Sequence, residues 1–455
     1  MRSELSSFRD PAGKVYTKDG EIYRAINASY RPNYEHLIGS GLYERLTRSN
    51  LLIPHQEIPC SNPDIYKLIK PEKLRFISYP YEWCFSQLQD AARLTLEIQK
   101  ISLDFGMTLR DASAFNIQFR RGKPIMIDTL SFAKYNEGRP WSAYRQFCQH
   151  FFCPLALAAD VDMRMIQMSR LHIDGIPLDL TSRILPLRSW LKGSRLLHIH
   201  LHAGNEGRDV REASRRDGRR FGLRAMQGLL ASLDRAVGSL CLSGAKSWWG
   251  SYYQIHNYSV AAFEHKKKVV EGFLRKISPS LVLDLGANTG LFSEIAARAG
   301  AETIAAEMDP VAVELNYLRC RKAGEGNILP LVFNLSNPSP NIGWRNRERK
   351  TLAERGPVDL VMSLALIHHL AIANNYPLNS IAEFLAQLGN HLIIEFVPKE
   401  DAQVGRLLRF RQDIFDRYGE NDFEEVFSNH FLIEEKQKLP ESGRSIYLMK
   451  NKCAP

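Results

Sequence analysis

Cysteine is scarce in this 455-residue chain: there are seven, an odd number, and no two of them form a C-x-x-C pair. This excludes the even, regularly spaced framework of a small disulfide-rich secreted protein and predicts a reduced, cytoplasmic protein. The first ten residues contain no apolar core of a secretory signal, and no apolar run approaches the length of a transmembrane helix. We therefore expect no membrane span.

The sequence also lacks an extreme composition. Hydrophobic residues make up 44% and charged residues 24%, as in ordinary globular proteins, and the length suits two to three domains. The net charge of +10 fits an anionic partner but gives no specific support for nucleic acid. The arginine-rich stretch Asn205–Arg220 is predicted to be a solvated linker.

The most informative stretch is Leu281–Ser293, in which an apolar run ends in Asp284 and a turn with two glycines follows. Three residues separate Gly286 from Gly290, and the acid lies within the first strand. The dinucleotide-binding fingerprint differs, because it reads G-x-G-x-x-G and places its acid on the following strand. A buried parallel strand, a turn that a ligand can approach closely, and a helix are therefore predicted here.

The pattern D-x-G-x-x-x-G resembles the first motif of class I S-adenosylmethionine-dependent methyltransferases. The resemblance implies that Asp284 and the turn carrying Gly286, Asn288 and Gly290 receive the amino-acid end of S-adenosylmethionine. The alternative is an ordinary strand–turn–helix unit of an α/β domain.

Two further strand ends extend this resemblance. Residues 303–307 form a second apolar run that ends in Glu307, and a carboxylate at this place in the family accepts hydrogen bonds from the two ribose hydroxyls. A third run, 328–333, ends at Asn334 and Leu335, where the family contacts the adenine. A strand-end surface charge is the alternative for Glu307.

The fourth predicted strand, 358–364, contains Ser363 near the place of the family's Asn-Pro-Pro-Tyr signature and leads to His368 and His369. An imidazole there could accept a proton from a substrate hydroxyl, since ligand sites in open α/β sheets lie beyond the carboxyl ends of the strands. Glu395, near the end of the fifth strand, is a candidate for positioning the substrate. The alternatives are a packing role for the histidines and an ordinary strand-end charge for the glutamate.

Two final β-runs, 431–437 and 444–450, predict a closing antiparallel hairpin, which class I methyltransferases add to an otherwise parallel sheet. The predicted fold class is therefore α/β. We expect a C-terminal, Rossmann-like methyltransferase sheet of seven strands, preceded by an N-terminal α+β domain.

The N-terminal half contains a predicted hairpin around the turn Lys18–Gly20 and a predicted helix from Ser86, as its N-cap, to Phe105. The spacing Asp111-x4-Asn116 follows, with a β-run that ends in Asp128. This arrangement resembles the catalytic loop of kinase-like phosphotransferases, in which the first Asp accepts the hydroxyl proton and the other two residues hold Mg²⁺. The alternative is that these side chains cap and turn the chain.

The kinase-like resemblance is incomplete. No glycine-rich phosphate loop precedes the segment in the sequence, neither Lys67 nor Lys70 stands out as a phosphate-binding lysine, and Asp128 is not followed by Phe-Gly. We therefore expect a kinase-like domain that holds a substrate or partner. A metal at Asn116 and Asp128 is expected only if this domain is active.

Three features lie around the middle of the chain. Alternating His198, His200 and His202 would share one face of a strand, where imidazoles suit zinc, and structural histidines are the alternative. An amphipathic helix starting near Leu223 is predicted to dock the two halves together. An aromatic segment then precedes the first strand, where the resemblance implies a lid over the cofactor and simple packing is the alternative. Its aromatic residues are Trp248, Trp249, Tyr252, Tyr253 and Tyr258.

The predicted domains are residues 1–204 (N-terminal α+β domain), 205–245 (linker and connecting helix) and 246–455 (methyltransferase domain). The layout resembles uncharacterised bacterial methyltransferases grouped with nodulation host-specificity proteins. The resemblance implies a transferase that uses S-adenosylmethionine to methylate an unidentified acceptor, which is a small molecule, a glycan or a lipid.

Two other functions are open at this stage. A kinase-like phosphotransferase would use Asp111, Asn116 and Asp128 and keep the C-terminal domain for regulation. A non-enzymatic binding module would be recruited through the basic linker.

Overall fold

The computed structural model describes residues 2–203, 221–242, 259–409 and 411–453. The chain divides into two compact units: Met1–Ser243 together with Asn341–Arg349, and Gly244–Pro340 together with Lys350–Pro455. The predicted linker Asn205–Arg220 and the predicted aromatic lid lie outside the described residues. No helix within the described ranges combines the length and apolar character that crossing a bilayer requires.

The first unit contains a five-stranded antiparallel sheet in the order β1-β2-β3-β5-β4. The predicted hairpin is present, because Lys18 pairs with Glu21 across a turn in which Asp19 and Gly20 both have positive φ. Two left-handed residues match the twist of the flanking strands. The strands are β1 Arg2–Ser3, β2 Gly13–Lys18, β3 Glu21–Asn27, β4 His55–Ile58 and β5 Ile65–Pro71.

The helices of the first unit pack around one long, largely buried helix, α3. The predicted N-cap Ser86 is wrong, since α3 begins one residue earlier and Cys84 is its N-cap, with the Cys84 N–H donating to Gln87 Oε1 at 3.0 Å. The helices are α1 Arg31–Gly39, α2 Leu42–Arg48, α3 Phe85–Asp104, α4 Tyr144–Phe147, α5 Cys153–Asp160, α6 Leu178–Ile184, α7 Gly193–Arg195, α8 Leu201–Ala203 and α9 Leu223–Gly238.

Helix α9 is the predicted connecting helix, and its apolar face packs within the first unit. Gln89 on α3 donates through Nε2 to the carbonyl oxygens of Val237 and Leu240, at 2.9 and 3.0 Å. Lys100 on α3 also pairs with Asp234. These contacts hold α9 against α3.

Two short hairpins frame the loop that carries Asp111 and Asn116. Strand β6 (Met107–Leu109) pairs with β9 (Phe132–Lys134), and β7 (Ile117–Arg120) pairs with β8 (Lys123–Met126). The β-run predicted to end in Asp128 is strand β8, which ends two residues earlier, at Met126. The loop is therefore held at both of its ends.

The histidine segment is helical, and the predicted strand is wrong. Leu196–His200 forms a π-helical turn that continues into α8. The ring nitrogens of His198 and His200 lie within 3.0 Å of protein hydroxyls. These hydroxyls belong to Tyr144 and Ser232 for His198, and to Ser182 and Ser189 for His200. No group of three potential metal ligands occurs among the described residues.

The second unit contains a seven-stranded sheet in the order β12-β11-β10-β13-β14-β16-β15. The first five strands are parallel, and β16 runs antiparallel to both β14 and β15. The alternating strands and helices confirm the predicted α/β class. The strands are β10 Leu281–Leu285, β11 Glu302–Glu307, β12 Ile328–Val332, β13 Val358–Ser363, β14 Gly389–Phe396, β15 Phe431–Lys438 and β16 Ser445–Asn451.

Helices cover this sheet, and their ends follow local sequence signals in part. Asp309 followed by Pro310 is a sequence signal for a helix start, and Asp309 does cap α12: it accepts from the Val311 N–H at 2.8 Å, with Pro310 at the first helical position. The spacing Ser380-x-x-Glu383 predicts a capping box at a helix start, and this prediction is wrong, because α13 begins at Leu378. The helices are α10 Val260–Ile277, α11 Leu291–Arg298, α12 Pro310–Ala323, α13 Leu378–Leu388, α14 Ala402–Leu408 and α15 Glu420–Phe427.

Candidate active site

The candidate site lies where the strand order of the second unit reverses. Strand β10 is central, with β11 on one side and β13 on the other, and Leu285 pairs with Ala306 and with Ser363. The connections after β10 and β13 lead away in opposite directions. Such a reversal opens a crevice at the carboxyl ends of the strands, and Asp284, Glu307 and Ser363 lie at or near those ends.

The glycine turn between β10 and α11 is tied to the neighbouring strand. The N–H groups of Gly286 and Ala287 donate to the carbonyl oxygen of Ala306, at 2.8 and 3.1 Å. Gly286 and Gly290 have φ of +72° and +86°. A Cβ at Gly290 would lie 2.4 Å from the side-chain oxygen and nitrogen of Asn316. The turn therefore requires glycine for both its backbone conformation and its close packing.

Asp284 is a buried carboxylate beside this turn. Its Oδ2 accepts a hydrogen bond from Ser293 Oγ at 2.6 Å. Burial raises the pKa of Asp284 to about 6, Ser293 and Lys266 oppose that rise, and the like charge of Glu307 adds to it. The two strand-end carboxylates therefore lie close enough to interact electrostatically.

Glu307 is oriented toward the glycine turn by three backbone N–H groups. Its Oε2 accepts from Asn288 at 3.0 Å, and its Oε1 accepts from Met308 and Asp309, at 2.7 and 2.9 Å. A carboxylate has about four acceptor positions. The Oε2 atom therefore keeps the capacity to accept from a ligand hydroxyl.

Asn334 and Leu335 follow β12, the strand next to β11. The Phe333 N–H donates to the Glu307 carbonyl oxygen at 2.7 Å, which fixes this chain end beside that of β11. Asn334 is exposed and accepts from the Ser336 N–H at 2.9 Å, and Leu335 is half-buried. The structure thus brings the predicted adenine-side residues to the same edge of the sheet as Glu307.

At the end of β13 and just beyond it, two buried side chains have polar atoms without hydrogen-bond partners among the described residues: Ser363, through Oγ, and His368, through both ring nitrogens. Only 1% of His368 is exposed, whereas His369 is exposed, and their ring centroids are 4.2 Å apart. Burial, with a smaller contribution from His369, lowers the pKa of His368 to about 3. Buried polar atoms are rarely left unpaired, so these atoms indicate a place for a ligand.

Glu395 lies in a buried ion cluster that the sequence did not reveal. Its Oε2 is 2.6 Å from Lys266 Nζ and its Oε1 is 3.4 Å from Arg444 Nη1, and Arg444 also pairs with Asp401 at 2.7 Å. The charges of Arg444 and Asp401 also act on the pKa of His368, so the cluster lies near that imidazole. Lys266 could have been noticed, because it falls four residues from Ala262 and four from Val270 on the buried face of α10.

The first unit brings the kinase-like residues together. Asp111 Oδ1 accepts from the Ser113 N–H at 3.0 Å and from Gln146 Nε2 at 2.8 Å. Burial raises the pKa of Asp111, and the charge of Asp128 raises it further. Asn116 Nδ2 donates to Ser131 Oγ at 3.1 Å. The three predicted residues therefore occupy one region.

Arg24 is the cation that reaches this region, and sequence reasoning missed it. Its Nη1 lies 2.6 Å from Asp128 Oδ1, and its Nη2 lies 3.2 Å from Asp10 Oδ2. The candidate lysines lie elsewhere: Lys67 pairs with Glu57 and Lys70 with Glu21, all of them well exposed. The carboxylate predicted to hold Mg²⁺ is therefore engaged by an arginine.

Comparison with curated proteins identifies a relative over almost the whole chain. The nodulation protein NoeA of Rhizobium meliloti (strain 1021) is 33% identical over 452 residues, which cover 97% of this chain and 94% of that protein. This chain belongs to the NoeA family. The predicted resemblance to nodulation proteins is thereby confirmed, and membership in the NoeA family spans both units. No protein-family model matches the chain.

Solved structures show weaker similarity. Magnesium protoporphyrin IX methyltransferase from Synechocystis PCC 6803 with bound SAM has a TM-score of 0.31 and 16% identity, covering 46% of this chain and 92% of that one. The bifunctional kinase-methyltransferase WbdD has a TM-score of 0.30 and 17% identity, covering 46% and 43%.

Proposed function

We propose that this protein is an S-adenosylmethionine-dependent methyltransferase of the class I fold that acts on an unidentified acceptor. The observation that carries the proposal is the pair of carboxylates at adjacent strand ends: Asp284 and Glu307 flank one glycine turn at the reversal of the strand order. A buried acid and a second acid facing a glycine turn suit a ligand that has a cationic amino group at one end and a ribose in the middle.

The residues around the turn fit this cofactor. Asp284 and the turn carrying Asn288 would hold its amino-acid end, and Glu307 Oε2 would accept from the ribose. Leu335, with Asn334, would face the adenine. Ser363, whose buried Oγ has no partner in the described part of the chain, would donate to or accept from the ligand.

When bound, the cofactor supplies a methyl group on a sulfonium that carries its own leaving group. The protein's part is then to align the acceptor with that methyl and to exclude water. A neutral His368 can accept a hydrogen bond from an acceptor hydroxyl, but a group of such low pKa is a weak proton acceptor. We assign His368 to orienting the hydroxyl and the exposed His369 to taking its proton. Glu395 holds Lys266 and Arg444 in place and positions the site.

The acceptor in this proposal is a small molecule, a glycan or a lipid, and residues 1–204 serve the recognition of substrate or partner. Residues 205–245 connect that domain to the catalytic domain, 246–455. The kinase-like alternative is less well supported, because Arg24 engages the carboxylate that Mg²⁺ would need.

Calorimetry with S-adenosylmethionine tests the proposal on the full chain. We expect Glu307→Gln to raise the Kd roughly tenfold to a hundredfold, since a lost charge-assisted hydrogen bond costs about 1.5–3 kcal/mol. Glu302→Gln is the matched control, because Glu302 lies at the opposite end of the same strand. Its Kd should equal that of the wild type. Absence of binding by the wild type, or equal binding by both variants, would contradict the assignment.

A further inference from the structure

A cavity of about 420 Å³ lies in the second unit, close to the residues assigned above to the acceptor. Its walls come from the segment after His369, from residues 414–418 and from one face of α15. This volume suits a small organic molecule or one part of a larger one. The proposed function uses none of these residues.

Both tyrosine hydroxyls of the lining are engaged by the protein, and two of its charged residues, Arg417 and Asp422, lie 3.9 Å apart as an ion pair. Tyr418 Oη donates to the Val397 carbonyl oxygen at 2.8 Å, and Tyr376 Oη donates to the Ser336 carbonyl oxygen at 3.2 Å. Most of the surface that the cavity offers is carbon, including Ile414, which is 60% exposed, and the charged residues Asp416, Arg417 and Asp422 complete the lining. An exposed apolar side chain at a concave site favours an apolar ligand group.

The walls are held in place without a ligand. Arg411 donates through Nη2 to Asn375 Oδ1 at 2.6 Å and through Nη1 to the carbonyl oxygens of Ile372 and Ala373. Asp413 accepts from Lys399 Nζ at 3.0 Å. A cavity that is formed in advance loses less conformational entropy when it binds a ligand.

The cavity adjoins the candidate acceptor site. Burial raises the pKa of Tyr418, and the charge of Asp401, which also acts on the pKa of His368, raises it further. Ala371, another wall residue, lies two positions after His369.

We propose that this cavity binds an uncharged aromatic ring of the methyl acceptor. Three aromatic side chains line it, Tyr376, Phe415 and Tyr418, and aromatic groups gain from offset or edge contacts beyond the burial of their area. The inference deepens the proposed function and rests on it: the ring occupies the cavity while a substituent of the acceptor reaches His368.

Fluorescence titration with 2-naphthol tests the cavity on the full chain. We expect saturable binding by the wild type and at least tenfold weaker binding by Ile414→Glu, which places a charge on the apolar wall. Leu432→Glu is the matched control, since Leu432 is an apolar residue of β15 that is 57% exposed and does not line the cavity. It should bind 2-naphthol as the wild type does.

Calorimetry with S-adenosylmethionine on the same three proteins separates the two proposals and also shows that each is folded. Binding of S-adenosylmethionine without saturable 2-naphthol binding overturns the cavity assignment alone. Binding of 2-naphthol without S-adenosylmethionine overturns the proposed function and leaves the aromatic site. Equal affinities of Ile414→Glu and the wild type for 2-naphthol overturn the site. Tighter binding of decanoate than of 2-naphthol, seen as displacement of 2-naphthol by a lower concentration of decanoate, also overturns it, because an aliphatic chain would then be the preferred ligand.

Discussion

Asp284 is a buried carboxylate, and burying its charge is unfavourable unless a ligand compensates for it. The carboxylate is 2% exposed and its pKa is about 6, so at neutral pH the protein holds an anion whose burial opposes ionisation. The raised pKa means that the folded state binds a proton more tightly than the unfolded state does. A cationic group beside Asp284 would compensate for this cost, which agrees with the proposed role in holding an amino-acid end.

We expect Asp284→Asn to be more stable than the wild type at pH 7.5, by up to about 2 kcal/mol. The change of the pKa from 3.8 to about 6 corresponds to about 3 kcal/mol, and the weaker Ser293 hydrogen bond to a neutral amide oxygen removes part of that gain. The pKa of Asp284 is higher in the folded state than in the unfolded state. The stability of the wild type therefore rises as the pH falls from 6 to 4, and the difference in stability between Asp284→Asn and the wild type shrinks. Urea unfolding of both proteins at pH 7.5, 6 and 5 measures this. A difference that is constant with pH would contradict it.

Sequence spacing sufficed to predict the glycine turn and the acids beside it, whereas their roles toward a cofactor stay predictions. Asp284, Gly286, Gly290 and Glu307 could be predicted because a glycine turn after a strand requires particular residues at fixed positions. Arg24 could not be predicted, since its partner Asp128 is far along the chain. Its role depends on tertiary contacts that no local pattern encodes.

At the scale of elements, the buried ion cluster joins helix α10 to the far side of the sheet. Lys266 on α10 is paired with Glu395 on β14, which in turn meets Arg444 just before β16. Desolvation lowers the pKa of Lys266, and the charge of Glu395 opposes that change. Such a cluster contributes little net stability, but removing one member leaves a buried charge uncompensated.

We expect Lys266→Met to destabilise the protein by about 3–5 kcal/mol, because Glu395 would lose one of its two cations. Lys267→Met is the matched control: Lys267 is the neighbouring residue and pairs with the exposed Glu264. Its effect should stay below about 1 kcal/mol. Urea denaturation of both variants measures their free energies of unfolding. A similar decrease in the two variants would show that the buried Lys266–Glu395 pair has no special role.

Strands and helices were predicted best where the spacing of apolar residues fitted only one type of secondary structure. The apolar runs of the second unit are strands at nearly the predicted bounds, because buried parallel strands leave a continuous apolar signature. The segment that contains His198 and His200 alternates as a strand would, yet it is helical, because hydroxyls from other helices meet the rings. Helix starts such as that of α13 were misjudged, since a nearby serine signalled a cap that the chain does not use.

At the scale of the whole molecule, the first unit is built from two separate stretches of sequence. The segment Asn341–Arg349 belongs to it, although the sequence assigns those residues to a loop of the C-terminal domain. Arg9 pairs with the buried Glu348 at 2.9 Å, and the Arg349 guanidinium lies 3.9 Å from the centre of the Phe115 ring. A boundary drawn from composition could not reveal this, because the segment is short and polar.

We expect Arg349→Ala to destabilise the first unit by about 1–2 kcal/mol, since a desolvated cation–π contact on Phe115 would be lost. Arg347→Ala is the matched control, because Arg347 is exposed two residues away. Hydrogen exchange of the amides between Asp111 and Asn116 should become faster in the first variant only. Equal exchange in both variants would contradict a role for Arg349 in holding this loop.

The position of β16 has a consequence for synthesis of the protein. Residues Ser445–Asn451 lie between β14 and β15 in the sheet, although they are translated after both. While the nascent chain is still on the ribosome, β14 presents an unpaired edge and β15 has no neighbour, and such edges recruit other chains. Any translational stop upstream of Ser445 should therefore yield an aggregating product, and folding of this sheet is completed only after translation has passed Asn451.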